Sequence, residues 1–332
     1  MTEEAFLVEN GNKHRLSGNS TLRVTDGRIH IQDQESGYAL PVSLISQKGV
    51  NINGKPYFGE IIIDAGLLLN VLPIEEYLKG VLSAEISNEW PGEVLKAQAV
   101  VSRTYAYHKI TVNKDKLYDV DNTTLYQKFD YSENNTSINK AINDTKGIII
   151  LYQNKPIEAF FHACSGGVTE NAGDVFQTNL PYLRSFPDPY SSKTGDSNWT
   201  FKATESQIKA SLKGIIAEEY ESLPLKEIKV NKRTGSRRVG EFLLVFENNK
   251  RQIIKGNTVR LAVGPKELKS LLIQSIRKER TQDGIVFSFY GRGYGHGVGL
   301  SQLGAKEMAE RGFLYKDIIA FYYRGTTLGS YN

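Results

Sequence analysis

The sequence predicts an α+β fold, and three observations carry that prediction. Residues 1–72 alternate apolar and polar positions around hairpin turns, two helical segments follow at 73–112, and strand patterns return from residue 226 onward. Strands at both ends with helices between them do not build alternating βαβ units. The expected architecture is therefore short, mostly antiparallel β elements at both ends, with a central helical segment.

In chain order, Leu22 and Val24 alternate with Ile29 and Ile31 around Asp26-Gly27, a hairpin turn. Asn53-Gly54 marks a second hairpin, leading into residues 57–63. Pro73 and Pro91 each suit the first turn of a helix, which predicts two helices over 73–112. Residues 113–145 are polar and read as loop with short elements. Residues 147–152 and 157–162 read as strands joined by a turn at Asn154-Lys155, and 165–190 as loop. Residues 201–222 read as helix. Residues 226–263 read as short strands with turns at Thr234-Gly235 and Asn248-Asn249. A strand and a glycine-rich loop follow at 285–299, and a helical region at 301–324 closes the chain.

Composition excludes several classes. The 332 residues carry 41 Lys and Arg against 37 Asp and Glu, a net charge of +4 with no run of five like charges, so nucleic acid is not an expected partner. Cys164 is the only cysteine, which excludes an intrachain disulfide, a zinc ribbon and a CxxC redox pair. The most apolar runs, at 61–72 and 147–152, fall short of the ~18 residues a membrane span needs. Residues 1–20 are polar and contain no signal-peptide core.

Chemistry concentrates in three places. In the first helix Ile74, Leu78, Val81, Leu82 and Glu85 share one face. A carboxyl at the end of an apolar stripe has a raised pKa and can act as a general acid near neutral pH. The alternative is a helix that stops near Ala84 and leaves Glu85 in water. In the second helix Gln98 and Arg103 sit off the apolar stripe, as packing and ion-pairing residues or as site residues. His162 and Cys164, two apart on a strand, face one way. They can be metal ligands, a thiol and its base, or a buried thiol beside a structural histidine. Glycines at 291, 293, 295, 297 and 299 let another backbone or a ligand approach closely, with His296 among them either catalytic or hydrogen-bonded in a crowded loop. No dinucleotide fingerprint, nucleophile elbow, P-loop, HExxH or EF-hand pattern occurs. Trp90, Tyr105, Tyr107, Tyr118, Tyr126, Tyr131 and Tyr182 lie near these segments and suit a sugar-stacking groove.

Four ordered blocks carry a family resemblance. Residues 81–85 (VLSAE), Trp90-Pro91 and residues 95–106 (LKAQAVVSRTYA) form the first. Residues 118–127 (YDVDNTTLYQ) form the second, and 159–170 (AFFHACSGGVTE) with Pro181-Tyr182-Leu183 the third. Residues 291–302 (GRGYGHGVGLSQ), Gly304-Ala305 and Tyr322-Tyr323 form the fourth. Residues 256–260 and 271–273 add a late strand and helix. From about residue 60 to 328 the chain resembles the stage II sporulation protein D (SpoIID/LytB) family.

That resemblance implies a peptidoglycan lytic transglycosylase of sporulation engulfment. It would cleave the bond between N-acetylmuramic acid and N-acetylglucosamine in peptide-denuded glycan and form a 1,6-anhydro sugar. The implied catalytic acid is Glu85, where the family's following Met-Pro is replaced by Ile86-Ser87. Glu89 is the rival carboxylate. Gln98, Arg103, Tyr105, Gln127, His296, Ser301 and Gln302 are implied to position the acid and the sugar. No cofactor is expected to be required. Some relatives bind zinc through His and Cys, and His162 and Cys164 are the corresponding candidates here. The expected division is an N-terminal β region at 1–60 and a catalytic region at 61–332, the latter with a β-rich subdomain at about 201–285. Expected partners are glycan strands and a cell-wall amidase or endopeptidase, and the expected location is extracytoplasmic, with a membrane anchor outside this chain. Two alternatives stand beside this: a non-catalytic peptidoglycan-binding enhancer of an amidase, and a cysteine hydrolase using Cys164 with His162 or His296.

Overall fold

A computed structural model describes residues 5–16, 20–31, 37–46, 49–121, 127–130, 135–192, 197–282 and 284–331. It is mixed α and β, built from many small and mostly antiparallel sheets. Its contacts divide the chain into two units, residues 1–88 with 106–146 and residues 89–105 with 147–332.

The first unit begins with a five-stranded antiparallel sheet that includes Ala5–Glu9, Val42–Ser46 and Glu60–Asp64. Leu7, Ile29, Val42, Leu44 and Ile61 form its core. Both expected hairpins are present, Leu22–Thr25 with Arg28–Ile31 and Val50–Ile52 with Lys55–Tyr57. Asp26 and Asn53 take positive φ in the turns, as short polar side chains and glycine permit. Pro73 then caps helix α1, Ile74–Glu85, which buries Leu78, Val81 and Leu82. Helix α2, Gly92–Asn113, starts directly after Pro91.

The polar stretch at 113–145 contains more structure than its composition implies. Helix α3, Thr136–Asp144, is capped by the Asn135 side chain on the Ile138 N–H and buries Ile138, Ala141 and Ile142. It packs against α1.

In the second unit a large core joins Trp199, Leu225, Phe242, Phe246, Phe287 and Phe289. Two three-stranded antiparallel sheets frame it: Leu225–Arg233, Val239–Phe246 and Arg251–Lys255, then Asn198–Thr204, Gly284–Arg292 and Ile273–Thr281. Residues 201–222 are thus not one helix. Strand runs to Thr204, whose side chain opens a capping box for Glu205–Ser211. Likewise residues 256–263 are helical and not strand. One parallel pair, Phe161–His162 with Leu300–Ser301, brings the third and fourth sequence blocks side by side. Among the described residues no helix is long and apolar enough to cross a membrane.

Candidate active site

Glu85 is the last residue of α1 and is half-buried. The helix therefore reaches Glu85, and the carboxyl stays at the edge of the apolar face. Ile86 caps the helix in extended conformation, φ −143° and ψ 145°, with its own side chain buried. A residue ahead of proline is pushed to the same extended region. Ile86-Ser87 thus leaves the helix along the path that a Met-Pro would impose.

Residues 127–130 run along α1. Lys128 donates its backbone N–H to Glu85 Oε1 at 2.8 Å, and Asp130 donates to the Gly80 carbonyl at 3.2 Å. Gly80 has no side chain to obstruct this approach, and a Cβ there would strike the Phe129 ring. Phe129 in turn stacks on Tyr77, with centroids 5.7 Å apart and planes at 12°. Tyr77 Oη donates to Gln127 Oε1 at 3.2 Å, while the Gln127 Nε2 is buried with no partner among the described residues.

The electrostatics follow from this packing. Burial raises the Glu85 pKa, and the Lys128 N–H and then the Lys128 charge partly oppose that rise. Burial also raises the Tyr77 phenol, with the Glu85 charge as the second cause, so Tyr77 remains a neutral donor. The result is a carboxyl with affinity for its proton, a neutral phenol and an amide donor with no partner among the described residues, on one helix face and the segment beside it. Glu89 is exposed in the turn before α2.

The other sequence candidates belong to the second unit. Gln98 donates to Ser102 Oγ at 3.0 Å and accepts from Gln302 Nε2 at 3.4 Å. Arg103 has no exposed surface and donates to the Ile148 carbonyl, while Tyr105 is buried near Phe160. Gln98, Gln302, Arg103 and Tyr105 are all buried. Ser301 joins a buried network that the sequence did not single out. Its Oγ accepts the Ser165 and Gly304 N–H groups and lies 2.6 Å from Ser191 Oγ. Ser191 Oγ and Ser165 Oγ donate to Asp188 at 2.6 and 2.7 Å, and Tyr322 Oη donates to it at 3.1 Å.

His296 is partly exposed and borders a cavity of about 330 Å³. Its Nδ1 accepts the Val298 N–H, so a neutral ring carries its proton on Nε2. Burial first, then the Arg260 charge, pushes its pKa down to about 3. His162 is buried, donates Nδ1–H to the Val298 carbonyl at 3.1 Å and leaves Nε2 with no partner among the described residues. The alternating glycines do admit close neighbours: a Cβ on Gly293 would lie 2.8 Å from the Cys164 carbonyl oxygen, and a Cβ on Gly295 would lie 2.8 Å from the His162 Cβ.

Cys164 is buried with Sγ 3.9 Å from the Ser191 carbonyl. Among the described residues no three His, Cys, Asp or Glu side chains gather to hold a metal ion, so His162 and Cys164 do not form a zinc set with partners. Of the expected stacking aromatics, Tyr105 and Tyr182 are buried, Trp90 lies under the Lys306 ammonium at 5.7 Å and Tyr118 is exposed. Tyr126 and Tyr131 lie outside the described residues.

Comparison with known proteins agrees with the resemblance. The family model described as stage II sporulation protein (SpoIID) matches residues 65–152, and a domain of unknown function (DUF8618) matches residues 190–299. An uncharacterised protein of Brachyspira hyodysenteriae is 34% identical over 95% of this chain and 83% of its own length. The stage II sporulation protein D of Bacillus amyloliquefaciens is 32% identical over 77% of this chain and 74% of its own. The amidase enhancer of Bacillus subtilis (strain 168) is 28% identical over the whole chain, which spans 52% of that protein. By sequence blocks, family model and identity across most of its length, the chain belongs to the stage II sporulation protein D family.

Proposed function

We propose that the protein is a peptidoglycan lytic transglycosylase in which Glu85 is first the acid and then the base. Its family supports a cell-wall role in sporulation. The observation that carries the enzymatic reading is the half-buried Glu85 carboxyl, its pKa raised by burial while the Lys128 N–H steadies the anion.

Glu85 gives its proton to the glycosidic oxygen between N-acetylmuramic acid and N-acetylglucosamine as the C1–O bond breaks. The glucosamine hydroxyl leaves, and positive charge develops at C1. The muramic 6-hydroxyl attacks C1 and closes the 1,6-anhydro ring, and the Glu85 carboxylate takes the hydroxyl proton. The acid is regenerated and no water is consumed. One carboxyl suffices, unlike the flanking pair of ordinary glycosidases. Such a group works best with a pKa near the operating pH. Burial raises it, and the Lys128 bond limits the rise. Tyr77 and the buried Gln127 line the inner side of this segment, where Tyr77 Oη donates to Gln127 Oε1.

The reading also places the working protein outside the cytoplasmic membrane, where its polymer is, with an amidase that strips peptides as its functional partner. The test is mass spectrometry of intact and amidase-stripped peptidoglycan after incubation with wild type and Glu85→Gln. Anhydro-muramic products from wild type alone support the assignment. Anhydro products from both proteins would move the acid elsewhere, with Glu89 next. No anhydro product on either substrate, with glycan binding retained, would favour the second reading, a non-catalytic amidase enhancer. The match of this whole chain to about half of the protein of that name is what keeps it in view.

A further inference from the structure

The hairpin Leu225–Arg233 and Val239–Phe246 turns through residues 234–238, and a cavity of about 530 Å³ lies beside this turn. Three arginines line it: Arg233 from the end of its strand, Arg237 from the turn, and Arg292 from the end of Gly284–Arg292. Gly167, Ser192 and the apolar Leu272 complete the wall that matters here. No Asp or Glu among the described residues lines it.

The cations are held but not neutralised. Arg233 Nη1 donates to the Arg237 carbonyl at 2.6 Å, and Arg292 Nη2 donates to the Ser192 carbonyl at 3.0 Å. Each bond uses one of five guanidinium N–H groups and leaves the charge uncompensated. None of the three forms an ion pair among the described residues. The neighbouring cavity beside His296 is different. Lys232, Arg238, Lys255, Arg260 and the shared Arg233 line it, but so do Glu170, Asp174 and Glu241, and Glu170 is already satisfied by Thr234 and Ser236. Of these two cavities, the first has charge of one sign alone among its described lining residues.

Like charges around one cavity repel, and an anion between them relieves that repulsion. The guanidinium fork matches a planar carboxylate. The volume suits a sugar-sized ligand with an acidic substituent. We propose that this cavity is a carboxylate subsite for the lactyl acid on a muramoyl residue of wall glycan. The inference rests on the peptidoglycan reading for its choice of ligand, not on the catalytic role of Glu85.

The experiment is calorimetric binding of the full chain to peptide-free glycan fragments, and to the same fragments after carbodiimide coupling with methylamine. That coupling turns each lactyl carboxylate into a neutral amide and leaves the sugar rings intact. Wild type should bind the amidated fragments about tenfold more weakly or worse, the loss expected when a charge-assisted contact is removed. Arg233→Gln with Arg237→Gln, two exposed positions, should bind both fragments alike at the weaker level. Equal binding of both fragments by wild type would overturn the subsite while leaving the glycan reading standing. No binding of either fragment would remove the glycan reading and the subsite with it. Displacement by millimolar inorganic phosphate but not by N-acetylmuramic acid would make the cavity a phosphate site and overturn the carboxylate assignment.

Discussion

Glu85 Oε1 accepts the backbone N–H of Lys128 at 2.8 Å, so the end of helix α1 and the segment 127–130 are joined through the carboxyl itself. The bond favours the anion, and burial disfavours it more strongly. That balance determines how the side chain should respond to substitution.

Glu85→Gln keeps an oxygen that can accept from Lys128 and removes the transferable proton. General acid–base groups contribute about 10²–10⁴-fold. Anhydro-muramic product should fall by at least that factor, with the circular dichroism spectrum unchanged. Retention of more than a tenth of the wild-type rate would exclude Glu85 as the acid.

The same variant should be more stable than wild type at neutral pH. The folded-state pKa of Glu85 lies above its ordinary value of 4.5, so the unfolded chain loses its proton first. Stability is therefore lost as pH rises from 4.5 through the folded pKa. Glu85→Gln abolishes that loss. Denaturant midpoints should be higher for the variant at pH 7 and converge with wild type near pH 4. An unchanged gap between the two pH values would mean the carboxyl is not penalised by burial.

Gly80→Ala tests the packing of the segment that holds the acid. Alanine gains about 0.5–1 kcal/mol of helix propensity over glycine. Overpacking costs about 1–3 kcal/mol, and the new Cβ would strike the Phe129 ring. The cost wins, so the variant should lose stability by urea denaturation and should lose catalytic rate with it, because Phe129 and Lys128 are chain neighbours. A variant as stable and active as wild type would show that residues 127–130 are not needed where they lie.

Part of this site was legible from the sequence, and the reasons differ by residue. A helical period of apolar residues leads to Glu85, but the family resemblance is what singles it out as the acid; the two hairpins are legible because Asp-Gly and Asn-Gly specify their turns. Helix α3 was hidden because its apolar positions, Ile138, Ala141 and Ile142, are diluted by Asn, Lys and Asp. The burial of Arg103 is not legible, because local periodicity cannot register a carbonyl supplied from Ile148, 45 residues away. Asp188 carries no local pattern at all. Its donors come from positions 165, 191 and 322, and only the fold gathers them. The spacing of Gly304 gave one indirect signal, since a Cβ there would run into Tyr322 Oη and Ser191 Oγ of that network.

Asp188→Asn should therefore be among the more damaging single-atom changes in the second unit. The carboxylate is fully buried and accepts from three hydroxyls and from the Tyr190 and Ser191 N–H groups. An amide replaces one acceptor oxygen with a donor, which faces donors. A buried polar group without a partner costs about 1–3 kcal/mol, and more for charged groups. Urea unfolding should show a loss of about 3 kcal/mol, and a loss below about 0.5 kcal/mol would mean the network rearranges freely.

The histidines predict the acid limb of stability. His296 is pushed down to about 3 and His162 well below its ordinary 6.5, both chiefly by burial, with neighbouring positive charge adding to the effect. Each folded-state pKa is lowered, so the unfolded chain binds the proton first as pH falls. Stability from the two rings is complete above about 6.5 and declines steadily below it, at up to about 1.4 kcal/mol per pH unit for each ring. This runs opposite to the Glu85 contribution, which destabilises only above 4.5. Wild type should therefore lose denaturant resistance between pH 6.5 and 4.5, and His296→Gln should flatten that slope without moving the pH dependence assigned to Glu85. A variant with the wild-type slope would show that His296 is protonated as readily in the folded chain as in the unfolded one.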